Sequence, residues 1–346
     1  MRLPSRLRAR VEGPLVSTHW LGETMVFAEQ RSVIPRSLAR TCLFSSMPPN
    51  SKRKTYTAET LLAVWGDEEA PAALIYQRAG KQLTQTEESI WLEFVRQALN
   101  QPLVPGVKKT PVRFHANAVL RALGRSVERK TRKDLLEQIE MIGDVRIKVV
   151  SADGHSYTGN LLDFEADAEG NYVVYLDMAF VNLFAPGWTI INLDQRQALR
   201  DYPLAQWLHT HYSTHLCPTP IGEDKLQVLC GREGMRRKAW LIALELALQQ
   251  LQAVTGWSCK LRDGVVRVTR SARKATKEDS TLLDAWLATL TREQVLQQLT
   301  YLGCEMTVAY AVTIIDLRAI LKSLLEGKPA FMEERLTLLQ VAAEDI

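Results

Sequence analysis

Cysteine is scarce in this 346-residue chain. There are five: Cys42, Cys217, Cys230, Cys259 and Cys304. Their number is odd, their spacings are wide, and no Cys-x-x-Cys pair occurs, which argues against a zinc ribbon or a disulfide framework. Reduced, buried thiols of a cytoplasmic protein are the expectation. Long apolar runs are also missing, so no segment is expected to span a membrane. No Gly-x-x-x-x-Gly-Lys-Ser/Thr loop is present, since Gly80-Lys81 lacks the upstream glycine. Nor is there a nucleophile elbow or a dinucleotide fingerprint. An enzyme has little to stand on, and no cofactor is implied. Charge of one sign is not in excess either. Lys and Arg total 43 against 39 Asp and Glu, a net charge of +4 that would not by itself suggest nucleic acid.

The distribution of charge says more than the total. Cations gather at Lys52-Arg53-Lys54 and in two helix starts, while acids collect near the end at Glu333, Glu334, Glu344 and Asp345. Local basic patches bind phosphate even at modest total charge. The first basic helix start lies in 110–150, TPVRFHANAVLRALGRSVERKTRKDLLEQIEMIGDVRIKVV. A short helix is expected at 116–123, stopped by Gly124, which tolerates a left-handed conformation. Ser126 then suits an N-cap, and a second helix is expected over 127–142. At about 100° per residue, Leu135, Ile139 and Ile142 share one side, with Arg129, Lys130 and Lys133 opposite. A strand follows at 146–150. Helix, turn, basic helix and strand is the order of a winged helix-turn-helix, whose second helix enters the DNA major groove.

The unit has an echo at 220–270. Leu120-x-x-Leu123-Gly124-Arg125 is matched by Leu226-x-x-Leu229-Cys230-Gly231-Arg232. Each copy starts a long helix with cations, Arg129, Lys130, Arg132 and Lys133 in one and Arg236, Arg237 and Lys238 in the other. Each helix ends at a glycine, Gly143 or Gly256, before a strand. In the second copy Asp263-Gly264 is a two-residue hairpin signal. Duplication makes paired nucleic-acid-binding modules a stronger reading than one solvated charged face. The second long helix is apolar on two sides, with Trp240, Leu241, Leu244, Leu248 and Leu251 on one and Met235, Ile242 and Leu246 on the other. Such a helix is expected to be buried on both.

Elsewhere the pattern is plainer. Residues 1–37 read as a flexible basic arm. A strand is expected at 73–78, and a helix carrying Trp91, Phe94, Val95 and Leu99 begins behind a Thr84/Glu87 capping box. Strand-like segments at 146–150, 157–164 and 172–176 form an antiparallel sheet or wing around a loop holding Asp163, Glu165, Asp167 and Glu169. Those acids read better as solvent-facing than as a magnesium site. A helix at 194–213 is interrupted by Pro203, which kinks or splits it. It carries His209, His211 and His215, which lack the further partners a metal site needs. A His-hydrophobic-His nickase motif is a poor fit, because Thr210 stands in the middle. Residues 271–279 form a charged linker. From 280 to 346 helices are expected at 282–290, 293–302, 308–325 and 331–343, a bundle without a chemical motif.

The chain resembles the TrfA-type plasmid replication initiators. The resemblance rests on Arg40-x-x-Leu43-Phe44, the Trp91 helix, Pro111-Val112-x-Phe114 leading to Leu123-Gly124-x-Ser126, and Leu183-Phe184-Ala185. It continues through Ser213-Thr214-His215, and Cys230-Gly231 through Arg236, Lys238 and Trp240. It implies two tandem winged-helix domains that bind origin repeats (iterons) in double-stranded plasmid DNA, melt nearby A·T-rich DNA, and recruit the host replicative helicase and the polymerase sliding clamp. A homodimer formed through the first domain is also implied. The second domain would read bases through Arg232, Arg236, Arg237 and Lys238, with Lys260, Arg262 and Arg267 on or near its wing. The first would hold phosphates through Arg125, Ser126, Arg129, Lys130 and Lys133. Two departures stand out. The bundle after Ser280 has no counterpart, and Leu43-Phe44 lacks the glutamine of the family's clamp-binding peptide and is expected in the core.

The expected fold is therefore α+β: an arm (1–37), a first winged-helix domain (38–193), a second (194–271) and a C-terminal helical domain (280–346). The alternatives are a winged-helix transcription regulator and a protein-interaction scaffold.

Overall fold

The computed structural model describes residues 31–66, 71–99, 109–151, 156–166, 172–177, 188–215 and 218–270, then a few residues between 284 and 296 and the helix Ile314–Gly327. The chain divides into two units, Met1–Thr269 and Arg270–Ile346. Residues 1–30 of the expected arm, the linker at 271–279, Asp167, Glu169, Leu183-Phe184-Ala185 and most of the expected C-terminal helices lie outside the described residues.

The first unit opens on strand β1 (Arg31–Pro35), a single-turn helix α1 (Arg36–Ala39) and strand β2 (Phe44–Ser45). Strands β3 (Thr55–Tyr56), β4 (Thr60–Gly66), β5 (Pro71–Lys81) and β6 (Leu83–Thr84) lead into helix α2 (Gln85–Leu99). Strand β7 (Lys109–Phe114), helices α3 (Ala116–Ala122) and α4 (Arg129–Gly143), and strands β8 (Arg146–Ser151), β9 (Ser156–Asn160), β10 (Asp163–Ala166), β11 (Tyr172–Asp177) and β12 (Trp188–Asn192) follow. Then come α5 (Leu193–Ala198), α6 (Pro203–Ser213), β13 (Ile221–Gly222), α7 (Glu223–Leu229), α8 (Arg237–Thr255), β14 (Ser258–Arg262) and β15 (Val265–Thr269). The result is a mixed α/β fold of several small sheets. Antiparallel β4-β5-β8-β9, with β3 added on β5, is the largest; β10-β11-β7 and β13-β15-β14 are separate three-stranded sheets.

Helix α2 is central to the first half. Ile90, Trp91, Leu92, Phe94, Val95 and Ala98 are buried along it, and the Phe94 ring lies 4.9 Å from that of Phe114 of β7, tilted by 58°. Its start is built as the Thr84/Glu87 spacing predicts, for the Thr84 amide and hydroxyl both donate to Glu87 Oε2, at 2.8 and 2.7 Å. Leu43 and Phe44 are buried, as expected.

Two features of the structure cross the expected boundaries. Strand β1 lies inside the segment read as an arm. It pairs antiparallel with β12, Arg31 to Asn192 through Pro35 to Trp188, and buries Val33 and Ile34 completely. The expected domain break at 193/194 falls within the first unit. Proline does split the helix there, and Pro203 takes the first-turn position of α6, where its missing N–H costs nothing. Both resulting helices pack on the first half. Arg196 of α5 is fully buried, 3.2 Å from Glu88 of α2, and donates to Thr210 Oγ1, Ser89 Oγ and the Gln85 carbonyl. Arg40 donates to Thr214, and Trp207 Nε1 to the Thr41 carbonyl. Buried charges persist only when paired and hydrogen-bonded, and this network supplies those partners.

The histidines of α6 belong to this packing. His211 stacks on Trp207 at 4.8 Å, and His209 Nε2 lies 3.1 Å from Gln195 Oε1. Among the described residues no group of His, Cys, Asp or Glu could hold a metal, and no helix is long and apolar enough to cross a membrane.

In the second unit, helix α9 (Ile314–Gly327) covers much of the helix expected at 308–325 and buries Leu317 and Leu321.

Candidate nucleic-acid interface

Helix α3 ends at Leu123, and Gly124 takes a left-handed φ of +64°. The Arg125 amide then donates back to the Leu120 carbonyl at 2.8 Å, closing the turn. Helix α4 starts two residues later than Ser126 would place it. Glu128 is the cap residue, with its amide donating to the Thr131 hydroxyl at 3.0 Å. That hydroxyl donates in turn to the Ser126 carbonyl at 2.7 Å. So Ser126 serves through its backbone rather than as a side-chain cap. Its side chain is exposed beside the helix start.

On α4 the core face is as predicted, with Leu135, Ile139 and Ile142 wholly buried. Arg129, Lys130, Arg132 and Lys133 are exposed, and Lys133 is 3.5 Å from Glu137 in a surface pair of little weight. Arg125 departs from expectation. It is only partly exposed and donates to Gln138 Oε1 at 2.8 Å. Burial lowers its pKa, while Glu87 and Asp134 pull the other way. It braces the turn against α4 instead of projecting beside Arg129.

Within the same unit, residues 221–269 repeat the plan. Gly231 takes a φ of +77° after α7, and Gln227 Nε2 spans the turn, donating to the carbonyls of Arg232 and Met235. Arg236 is the cap residue of α8 and is exposed, as is Lys238. The Arg237 side chain is 77% exposed and reaches Glu223 Oε1 at 3.0 Å. Glu223 also accepts from Trp240 Nε1 at 2.8 Å, so one carboxylate joins α7 to the start of α8.

Arg232 is the clear correction. Only 9% exposed, its Nε donates to Ser46 Oγ at 2.9 Å, and its guanidinium also meets the Ser46 carbonyl. Burial lowers its pKa. The backbone adds a parallel link, since the Ser46 amide donates to the Cys230 carbonyl at 2.9 Å. Glu233 pairs with Lys54 beside them. This arginine fastens the turn to the first half instead of projecting from the surface with Arg236 and Lys238.

Past α8, Gly256 closes the helix at φ +72° and the β14–β15 hairpin turns on Asp263 and Gly264, both at positive φ, as the Asp-Gly signal predicts. Lys260 faces Arg267 across the ladder, and Arg262 lies two residues along the same face. All three are exposed, while Val266 and Val268 on the other face enter the core. The hairpin therefore shows three cations on one surface. Helix α8 is buried through Trp240, Leu244, Ala247, Leu248 and Leu251 only. Of the expected second buried side, Met235 is partly buried against the core, whereas Ile242 is 61% and Leu246 47% exposed.

No family profile matches the chain, and no curated protein does. Among solved structures, a selenomethionine crystal structure of domains 2 and 3 of RctB is similar at 13% identity, with a TM-score of 0.44 over 68% of this chain and 98% of its own. A second structure of RctB domains 2–3 gives 13% identity and a TM-score of 0.41, covering 67% and 94%. A likeness at this level assigns the chain to no family.

Proposed function

We propose that this chain is a non-enzymatic DNA-binding protein with two tandem winged-helix modules, acting as an initiator at repeated origin sequences. The observation that carries the proposal is the repeated arrangement in the first unit. Each long helix, α4 and α8, presents exposed cations in its first turns over a buried apolar face, and a β-hairpin follows each. On α8 the hairpin adds Lys260, Arg262 and Arg267. Cations at a helix start and on a wing are what major-groove entry and phosphate contact require. The contact set is Arg129, Lys130, Arg132 and Lys133 on the first module and Arg236, Arg237, Lys238 and the hairpin cations on the second. Ser126 is retained as an exposed hydroxyl; Arg125 and Arg232 are not.

Binding of origin repeats, opening of A·T-rich DNA, recruitment of helicase and sliding clamp, and dimer formation extend the proposal along the TrfA-type resemblance. The first of these is tested by mobility shift. Duplexes tiled across the DNA flanking the gene, and scrambled versions of each, are titrated with the full chain at physiological salt. Tighter binding to a directly repeated sequence is the expected result. Equal affinity for every duplex would remove origin recognition, and no affinity would remove DNA binding altogether. Arg236→Ala should cost about 1–3 kcal/mol and relax preference at one position.

A further inference from the structure

Helix α8 carries an outward stripe unlike that of α4. At about 100° per residue, Ile242 lies roughly 40° from Lys238 around the helix and Leu246 another 40° on. That stripe is opposite the buried one of Trp240, Leu244, Ala247 and Leu251. Lone exposed apolar side chains are ordinary. Two large ones in successive turns, at the centre of the solvent face and directly downstream of Lys238, continue the stripe that this cation begins. Four residues advance a helix by about 6 Å, so Ile242 and Leu246 follow Lys238 at about 6 and 12 Å, within the span of a groove that admits a helix. No lysine or arginine follows Lys238 on α8, and Glu245 flanks the stripe, about 60° round the helix from Ile242. A carboxylate there would repel a phosphate. The middle of the stripe is thus unsuited to DNA backbone and suited to base edges. The one large apolar group that a major groove displays is the thymine C5-methyl. On α4 the corresponding outward stripe runs from Arg129, Lys130 and Lys133 to Glu137 and Glu140, all exposed, and its one apolar residue, Met141, is only partly exposed.

We infer that Ile242 and Leu246 are specificity-determining residues that take thymine methyl groups, so that the middle of α8 selects A·T pairs in the major groove. The inference rests on the DNA-binding reading above. The experiment uses the full chain and a duplex selected by it from a library with a random core. Each thymine of that duplex is replaced in turn by deoxyuridine, which lacks only the methyl.

At one or two positions the replacement should weaken binding roughly fourfold, the worth of one buried methyl. Ile242→Ala or Leu246→Ala should then bind the thymine and uracil duplexes equally, with an unchanged salt slope. Uracil duplexes bound as tightly as thymine ones by the unaltered chain overturn the inference and leave DNA binding intact. So does an Ile242→Ala variant that weakens both duplexes alike, or one that only dissociates a self-associated form in light scattering, which would assign the stripe to a second copy. Failure to select any duplex overturns the DNA-binding reading itself. Both side chains are exposed, so the variants should fold; the uracil series on the unaltered chain tests the inference without them.

Discussion

Helices α4 and α8 are built on one plan and finished differently. Both follow a left-handed glycine, both bury one apolar face, and both lead to a hairpin. Beyond their first turns, the exposed side chains of α4 are the charged Glu137 and Glu140, whereas α8 exposes Ile242 and Leu246. Charge alone grips any duplex, whereas base edges are told apart by shaped polar and apolar contacts. On the proposed DNA-binding reading, the difference would divide the labour: α4 for hold, α8 for choice. The two turns are also fastened reciprocally. Arg200 donates to the Gly124 carbonyl at 2.8 Å, from the second half to the first turn, and Arg232 reaches Ser46, from the second turn to the first half.

The comparison can be broken most violently at the joint inside the first unit, where α5 meets α2. Arg196→Ala strands the buried Glu88 carboxylate, whose pKa burial already raises. It should cost about 3–5 kcal/mol in urea titration. Both modules should unfold in one transition; two separate transitions would show that they are independent.

The turns themselves come next. A Cβ at Gly231 would lie 2.9 Å from Ser45 Cβ, a short side chain with nowhere to go. At Gly124 the obstacle is the end of the Gln197 side chain, which can swing away. Gly231→Ala should therefore cost about 2–3 kcal/mol and Gly124→Ala about 1; equal losses would mean backbone strain alone decides. Arg232→Ala should lose about 2 kcal/mol of stability through its broken charged hydrogen bonds, with the salt slope of DNA binding unchanged. A slope that falls would return Arg232 to the DNA surface. Lys130→Ala should do the opposite, leaving the melting curve in place and reducing the slope by about one, equally for all sequences.

The gentlest expected effect is with pH. Burial lowers the His211 pKa well below its ordinary 6.5, helped by the nearby charges of His215 and Arg40. A base with a depressed folded-state pKa leaves stability intact above its ordinary value. As pH falls below about 6.5, the unfolded chain takes up a proton that the folded chain refuses, and stability declines. His211→Phe, keeping the stack on Trp207, should flatten that part of the stability–pH curve relative to the unaltered protein.

Much of this was legible beforehand, and the reason is locality. The core faces of α4 and α8, the stops at Gly124 and Gly256, the Thr84/Glu87 start and the Asp263-Gly264 hairpin each depend on residues a few positions apart. What was missed depends on distant partners. Strand β1 looks like a basic arm until β12 is seen to complete it. Arg125 and Arg232 look like neighbours of the surface cations, but a side chain's choice between solvent and a carbonyl far along the chain leaves no local mark. Ser126 was outcompeted as a cap because Thr131 closes the turn around Glu128 instead. The apolar residues on the outer side of α8 were read as a second buried face, because exposure of two large aliphatics is against the usual odds for a helix.

The cross-fastened turns have a mechanical consequence. With each elbow riveted to the opposite half, neither long helix can swivel without dragging its twin, so the gap between them works as a stiff gauge. A duplex engaging both must then yield in the protein's stead, by bending or twisting until its grooves match that gauge, and the sequences that deform most readily will be the ones that accept it.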